Sequence, residues 1–409
     1  MCEFYPPCLN PQFVRLWQSF SFLIGYFRYR VRLEIQPGSL DRLVALRDHR
    51  LLLLPNHPTF QDWIALFLFS ARLGELFHYM AAYERFKGTG GRFLQQLGAY
   101  SIRRGLGDRP SIAYTINLLM QPHCRLVIFP EGGCSFQNDT VMPFRAGAIQ
   151  VAFQAMSKLV KHGESVPDFY AVPISLKYRY TDNMTNVIDQ TLTRLEKALH
   201  IPPDSDFYKR LDRIGNHLLL ALEQEYGLAP ADTLSLSRNE RISHIKTYIL
   251  QQCEDKLGIT SSPQELVRER VYRIQHMLES RADSWADDVW TYDAIHRAAE
   301  RLLNFDAIYD GYVAADPTPE RFLDTLIRME RAVFRINQPA PKGHRRVMIE
   351  VGTPLNLKDY FPQYQGDRSG TITLVTQSLQ QTVQDNLDHL RNKNKNPRYG
   401  GDVDLVQLK

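Results

Sequence analysis

Apolar positions change their period three times along the 409-residue chain. Near the N-terminus Phe13, Trp17, Phe20, Ile24 and Phe27 recur at i, i+4, i+7, i+11 and i+14, one stripe of a helix, with Arg28, Arg30 and Arg32 directly after it. Short apolar runs then alternate with helical segments. Leu51-Leu52-Leu53-Leu54, closed by Pro55, reads as a buried strand, and Trp63, Leu66 and Phe67 follow at helical spacing. Tyr100 to Ile102, Arg125 to Phe129, and Ala171 to Leu176 with Pro173 inside it are further strands. After Leu176 only helical stripes remain. They are Ile188, Leu192, Leu195 and Leu199; then Val267, Val271, Ile274 and Leu278, introduced by the capping-box sequence Ser262-Pro263-Gln264-Glu265; then Phe322, Leu326, Met329 and Val333 after Thr318-Pro319. A strand pattern returns at Arg346 to Val351, followed by Gly352 and Pro354 and a helix over about 371–390.

The alternation predicts an α/β fold interrupted by helices. The predicted parts are 1–30, an amphipathic helix; 31–182, the first part of the α/β domain; 183–342, an inserted all-helical subdomain; 343–390, the last strand and closing helix; and 391–409, a polar tail. A separate C-terminal domain with its own small sheet is the alternative for the last strand.

The chemistry gathers at strand ends. His57 follows the Leu51–Leu54 run and Asp62 stands five residues beyond it. At the carboxyl end of a strand, where open α/β sheets hold their sites, an imidazole can take a proton from a hydroxyl and a carboxylate can fix its tautomer. Thr59 to Asp62 also fits a plain capping box, with Thr59 as N-cap. Farther on, Gly98 precedes Arg103 and Arg104, whose guanidiniums suit phosphate or carboxylate. Strand alternation turns the two arginines to opposite faces. The strand ending at Phe129 runs into Pro130-Glu131-Gly132-Gly133-Cys134-Ser135, where glycines permit close backbone approach to an anion.

These segments resemble the PlsC-type glycerolipid acyltransferases, whose domain carries an N-H-x4-D box, a G-x5-R box, an F-P-E-G-x-x-S box and a V-P-[IV] box. Here they read Asn56-His57 to Asp62, Gly98 to Arg104, Phe129-Pro130-Glu131-Gly132 with Ser135, and Val172-Pro173-Ile174. The resemblance implies a mixed central sheet flanked by helices. It also implies His57 and Asp62 as catalytic residues, and Asn56, Gly98, Arg104, Glu131, Gly132 and Ser135 around the substrates. Glu131 either touches substrate or only organises the loop amides. The chain departs from the family in the third box, where Gly133-Cys134 replaces the common Thr-Arg and removes a phosphate contact. Arg145, in Pro143-Phe144-Arg145, either takes that contact over or is a solvated helix-opening residue.

The implied reaction moves a fatty acyl group from acyl-CoA or acyl carrier protein to a hydroxyl of a glycerolipid such as 1-acyl-glycerol-3-phosphate, with no metal or bound cofactor. A thioester hydrolase or a non-catalytic membrane scaffold of the same fold is the alternative. The nucleophile elbow Gly-x-Ser-x-Gly is missing, since Phe136 and Gln137 follow Ser135.

Composition narrows the setting. The 49 basic and 45 acidic side chains leave a net charge of +4, too mild for a nucleic-acid binder. Cys2, Cys8, Cys124, Cys134 and Cys253 form neither a disulfide framework nor a zinc spacing, which points to a reducing compartment. Cys134 reads as a small residue under a glycine turn or as a nucleophile. No apolar run approaches the ~20 residues of a spanning helix. The N-terminal aromatic and arginine cluster suits either a bilayer interface or packing on the core, and with lipid substrates it implies peripheral or monotopic attachment at the cytoplasmic face of a membrane.

Overall fold

The computed structural model describes residues 4–105, 107–228, 235–262, 265–280, 289–305 and 310–393. The chain forms two compact units, one of Met1–Arg103, Gly107–Thr181 and Gly343–Asp402, the other centred on Asp182–Lys342 together with Arg104–Leu106.

The first unit is built on strands β1 (Val31–Ile35), β2 (Arg50–Pro55), β3 (His78–Ala82), β4 (Ala99–Ile102), β5 (Arg125–Val127), β6 (Phe169–Tyr180), β7 (Arg345–Val351) and β8 (Leu355–Asn356). They form one mixed sheet in the order β1-β7-β6-β2-β5-β3-β4, with β8 beside β6. The β1–β7, β2–β5, β2–β6, β3–β4 and β3–β5 pairs are parallel, whereas β6 runs antiparallel to β7 and β8.

A strand in the middle of such a sheet is covered on both faces, which is why Leu51 to Leu54 are apolar without alternation. Leu51 and Leu53 belong to one core cluster with Val14, Ile64, Leu68 and Leu176. Leu52 and Leu54 pack on the opposite side with Phe153, Met156, Leu379 and Val383. The helices Asp62–Leu73 and Gly147–Lys161 supply the two layers, and Gly74 at φ 68 ends the first of them with a left-handed cap.

β6 runs to Tyr180, four residues beyond the end of the predicted strand. Lys177 interrupts the apolar pattern, yet it is fully buried because it pairs with Asp139. This C-terminal half of β6 passes the end of β2 and is held by β7, from Ile174 opposite Val351 to Tyr180 opposite Arg345.

The N-terminal helix Pro11–Leu23 is capped by the Asn10 side chain, which accepts the Phe13 N–H, and continues as a π-turn over Ile24–Arg28. The aromatic stripe divides. Phe13 and Trp17 meet the Phe93 ring edge to face, with centroids 5.7 and 5.1 Å away, while Phe20 and Phe27 point outward with Leu16, Phe22 and Leu23. No helix among the described residues is long and apolar enough to cross a membrane.

In the second unit Ile188, Leu192 and Leu195 of helix Thr185–Leu199 are buried, as are Val271, Ile274 and Leu278 of Val267–Ser280 and Phe322 and Leu326 of Pro319–Phe334. Thr318 caps the last of these by accepting the Arg321 N–H. Pro263 and Gln264 of the capping-box sequence lie outside the described residues. At the C-terminus, helix Arg368–Lys393 takes in the first three residues of the segment expected as a polar tail, Arg391, Asn392 and Lys393, and the rest of that segment lies outside the described residues.

Candidate active site

Two residues past the end of β2, His57 stands between two neighbouring strands whose carboxyl ends point the same way. Asn56 joins the turn to β6, accepting the Leu176 N–H at 2.7 Å and donating to the Leu176 carbonyl at 3.1 Å. From the β5 side, Glu131 Oε1 accepts the His57 backbone N–H at 2.7 Å, and the Ser135 N–H reaches the His57 carbonyl at 2.8 Å. The Ser135 hydroxyl also donates to that carbonyl, at 3.3 Å. Backbone and side chains of three strand ends therefore fix the turn before the imidazole does anything.

The His57 Nδ1 lies 2.6 Å from Asp62 Oδ2, with the histidine side chain one-fifth exposed and the carboxylate fully buried. A buried carboxylate acts as acceptor, so Nδ1 carries the hydrogen and Nε2 is left with a lone pair. The Phe129 ring lies against the imidazole at 4.3 Å between centroids. Asp62 opens the helix itself, with Gln61 at the N-cap and no side-chain cap, so the helix does not start from Thr59 as the capping-box reading expected. The Asp62 carboxylate reaches back to the Thr59 N–H at 2.9 Å while holding His57 with the same oxygen. The Thr59 hydroxyl accepts the Gln61 N–H at 3.1 Å and donates to Asp62 Oδ1 at 2.8 Å.

Gly132 adopts φ +72, and a Cβ there would sit 2.6 Å from the Arg145 guanidinium. Arg145 is also fixed through its backbone, whose N–H donates to the Pro130 carbonyl at 2.8 Å. Asn56, His57, Asp62, Glu131, Gly132, Ser135 and Arg145 thus belong to one interlocked set of turns. Gly98 is a backbone turn residue at φ +90, against Phe77, Leu9 and His78. The two arginines of the second box part company. Arg103 stacks on Tyr83 at 4.7 Å, whereas Arg104 groups with the second unit, 4.4 Å over the Tyr272 ring and donating to its hydroxyl at 2.9 Å. Cys134 is partly exposed and not part of a disulfide.

Sequence reasoning missed Tyr178. Its hydroxyl donates to Asp62 Oδ1 at 2.7 Å from the overhanging part of β6. Burial, and after it the Asp62 charge, push its pKa well above the ordinary phenol range, so it remains a donor. The signal was present in the period-2 series Val172, Ile174, Leu176, Tyr178, which continues one face of the strand. Arg345 was missed as well. Its guanidinium lies 4.8 Å from the centre of the Tyr178 ring and donates to the Gln61 side chain.

A histidine held at a parallel-strand end by a buried carboxylate has the geometry that general-base chemistry requires. Residues 38–177 match the acyltransferase family model, so the chain carries an acyltransferase domain of the PlsC type over that segment. No curated protein matches the chain.

Proposed function

We propose that the protein transfers a fatty acyl group from an acyl thioester, acyl-CoA or acyl carrier protein, to a hydroxyl of a glycerolipid such as 1-acyl-glycerol-3-phosphate. The observation that carries this reading is the 2.6 Å His57–Asp62 contact at the end of β2. His57 Nε2 takes the hydroxyl proton while the oxygen attacks the thioester carbonyl. The carbon–oxygen bond forms, the carbon–sulfur bond breaks, and the imidazolium returns its proton to the departing thiolate. Asp62 stabilises the imidazolium in between. General-base assistance of this kind contributes ~10²–10⁴-fold, and the rest comes from holding two substrates together.

Arg145, held beside Gly132, is the residue we assign to the acceptor phosphate in place of the arginine that the third box lacks, with Arg104 as the family's own choice for that role. Residues 183–342 we read as an insertion in the acyltransferase domain. Peripheral attachment to a cytoplasmic membrane face is supported by Leu16, Phe20, Phe22, Leu23 and Phe27, all exposed on one end of the molecule's first helix and followed by exposed Arg28, Arg30 and Arg32.

The test is purified protein with one labelled acyl thioester, as CoA or carrier-protein conjugate, against a panel of lysophospholipid, glycerol phosphate and neutral alcohol acceptors. A lipid with one more acyl chain is expected. His57→Ala should lower its formation ~10²–10⁴-fold with the fold retained. Release of free fatty acid at the same rate with and without acceptor would make the protein a hydrolase, and an untouched thioester would leave only a scaffold.

A further inference from the structure

We propose that Tyr178 is a positioning residue for the His57–Asp62 pair: its hydroxyl, reaching in from β6, holds the Asp62 carboxylate in place and so governs how that carboxylate holds the His57 ring. The link to turnover rests on the acyl-transfer reading, while the link to His57 rests on geometry alone.

Asp62 is wholly enclosed, and both of its oxygens are fully used. Oδ2 accepts from the Thr59 N–H at 2.9 Å and from His57 Nδ1 at 2.6 Å, and Oδ1 accepts from the Thr59 hydroxyl at 2.8 Å and the Tyr178 hydroxyl at 2.7 Å. Three of these donors belong to the turn itself. The fourth arrives from 116 residues away. Asn56 ties the turn to β6 through Leu176, and Tyr178 ties the carboxylate itself to the same strand.

Its own placement is fixed from behind. Arg345 of β7 lies over its ring at 4.8 Å and bonds the side chain of Gln61, inside the same turn as Asp62. Among the described residues, the charged and titratable groups bonded to the pair or stacked behind it are Tyr178, the Arg345 guanidinium over its ring and the Glu131 carboxylate under the His57 N–H. Among them only the Tyr178 hydroxyl can be deleted with no change of charge and with the ring left for Arg345 to rest on.

A hydroxyl donating to a carboxylate stabilises its charge and makes it a weaker acceptor. Without it Asp62 is more basic and holds the His57 imidazolium more strongly. In Tyr178→Phe the pH at which the His57 ring titrates, followed by its imidazole carbon-bound proton resonances in the substrate-free protein, should rise by about half to one unit. The acid limb of the rate profile should rise with it. Thr59→Val removes the other hydroxyl from the same oxygen and should shift both in the same direction. Incorporating 3-fluorotyrosine in place of Tyr178 supplies a more acidic donor and should shift them the opposite way. That replacement also covers the case in which Tyr178→Phe fails to fold.

An unchanged His57 titration in both Tyr178 replacements would overturn the proposal, as would a slower enzyme whose pH profile stays in place. Should the titration move as expected while the native protein transfers no acyl group to any acceptor, the positioning role stands and the acyl-transfer reading falls.

Discussion

The Glu131 carboxylate accepts the backbone N–H of His57 at 2.7 Å, joining the loop after β5 to the turn after β2. The acidic residue of the third box is thereby a brace for the histidine of the first. Its effect on the imidazole runs through the main chain, because the N–H it holds is the one preceding the His57 α-carbon.

A brace and a charged substrate contact respond differently to substitution. Glu131→Gln keeps an acceptor oxygen for the His57 N–H, whereas Glu131→Ala leaves that amide without it, at a cost of about 1–3 kcal/mol. The glutamine variant should therefore keep a far larger share of the activity and of the thermal stability than the alanine variant. Equal losses of rate in the two, with equal melting temperatures, would assign the carboxylate charge to the chemistry instead.

Gly132→Ala joins two penalties. The backbone is left-handed at φ +72, and the added methyl would stand 2.6 Å from the Arg145 guanidinium. The left-handed conformation alone costs about 1–2 kcal/mol for a residue with a Cβ. We expect a lowered melting temperature and a raised KM for the acceptor, since Arg145 must move. Steady-state kinetics against acceptor concentration checks this, and an unchanged KM would remove Arg145 from acceptor binding.

Alkaline pH should destabilise the first unit. Tyr100 and Tyr178 are buried, as is the hydroxyl of the partly exposed Tyr79, and burial raises the pKa of each above the ordinary phenol value. In the unfolded chain they ionise near ~10, so between that pH and the higher folded values the native state holds protons that the unfolded chain has released. Stability from this source is complete below about pH 10 and declines as the pH climbs past it. Urea midpoints between pH 8 and pH 11, read with tyrosinate absorbance, should show a set of tyrosines that ionises only as the fold is lost.

The outward face of the N-terminal helix should bind anionic vesicles. Phe20, Phe22 and Phe27 are 51, 62 and 73% exposed. Burying an aromatic side chain is worth roughly 1.5–3 kcal/mol, so changing all three to serine should weaken binding to phosphatidylglycerol vesicles by about a hundredfold or more. Raised salt should weaken the wild type further through Arg28, Arg30 and Arg32. Sedimentation that is the same for the wild type and the triple variant would dissociate this face from the membrane.

Much of the architecture was legible because its cause is local. A run of four leucines closed by proline can hardly be anything but a strand covered on both faces, and β2 follows. The alternation of strands with helices gave the α/β class, and the four boxes in order gave the domain that residues 38–177 match. The end of β6 was not legible in the same way. Lys177 looks like the end of an apolar strand until Asp139 is seen beside it. The N-terminal stripe likewise looked uniform, although Phe93 decides which of its rings are covered.

What the amino-acid order determined by itself is whatever depends on neighbours within a few positions: the strand, the turn after it, and a histidine within reach of a carboxylate five residues on. Which groups close around that carboxylate was decided only when distant segments met, as with Tyr178 donating to Asp62 and Arg345 reaching Gln61 across 284 residues of chain. Periodicity reports how a segment is buried, but a hydrogen bond between remote side chains leaves no period, so only the assembled sheet could reveal those partners.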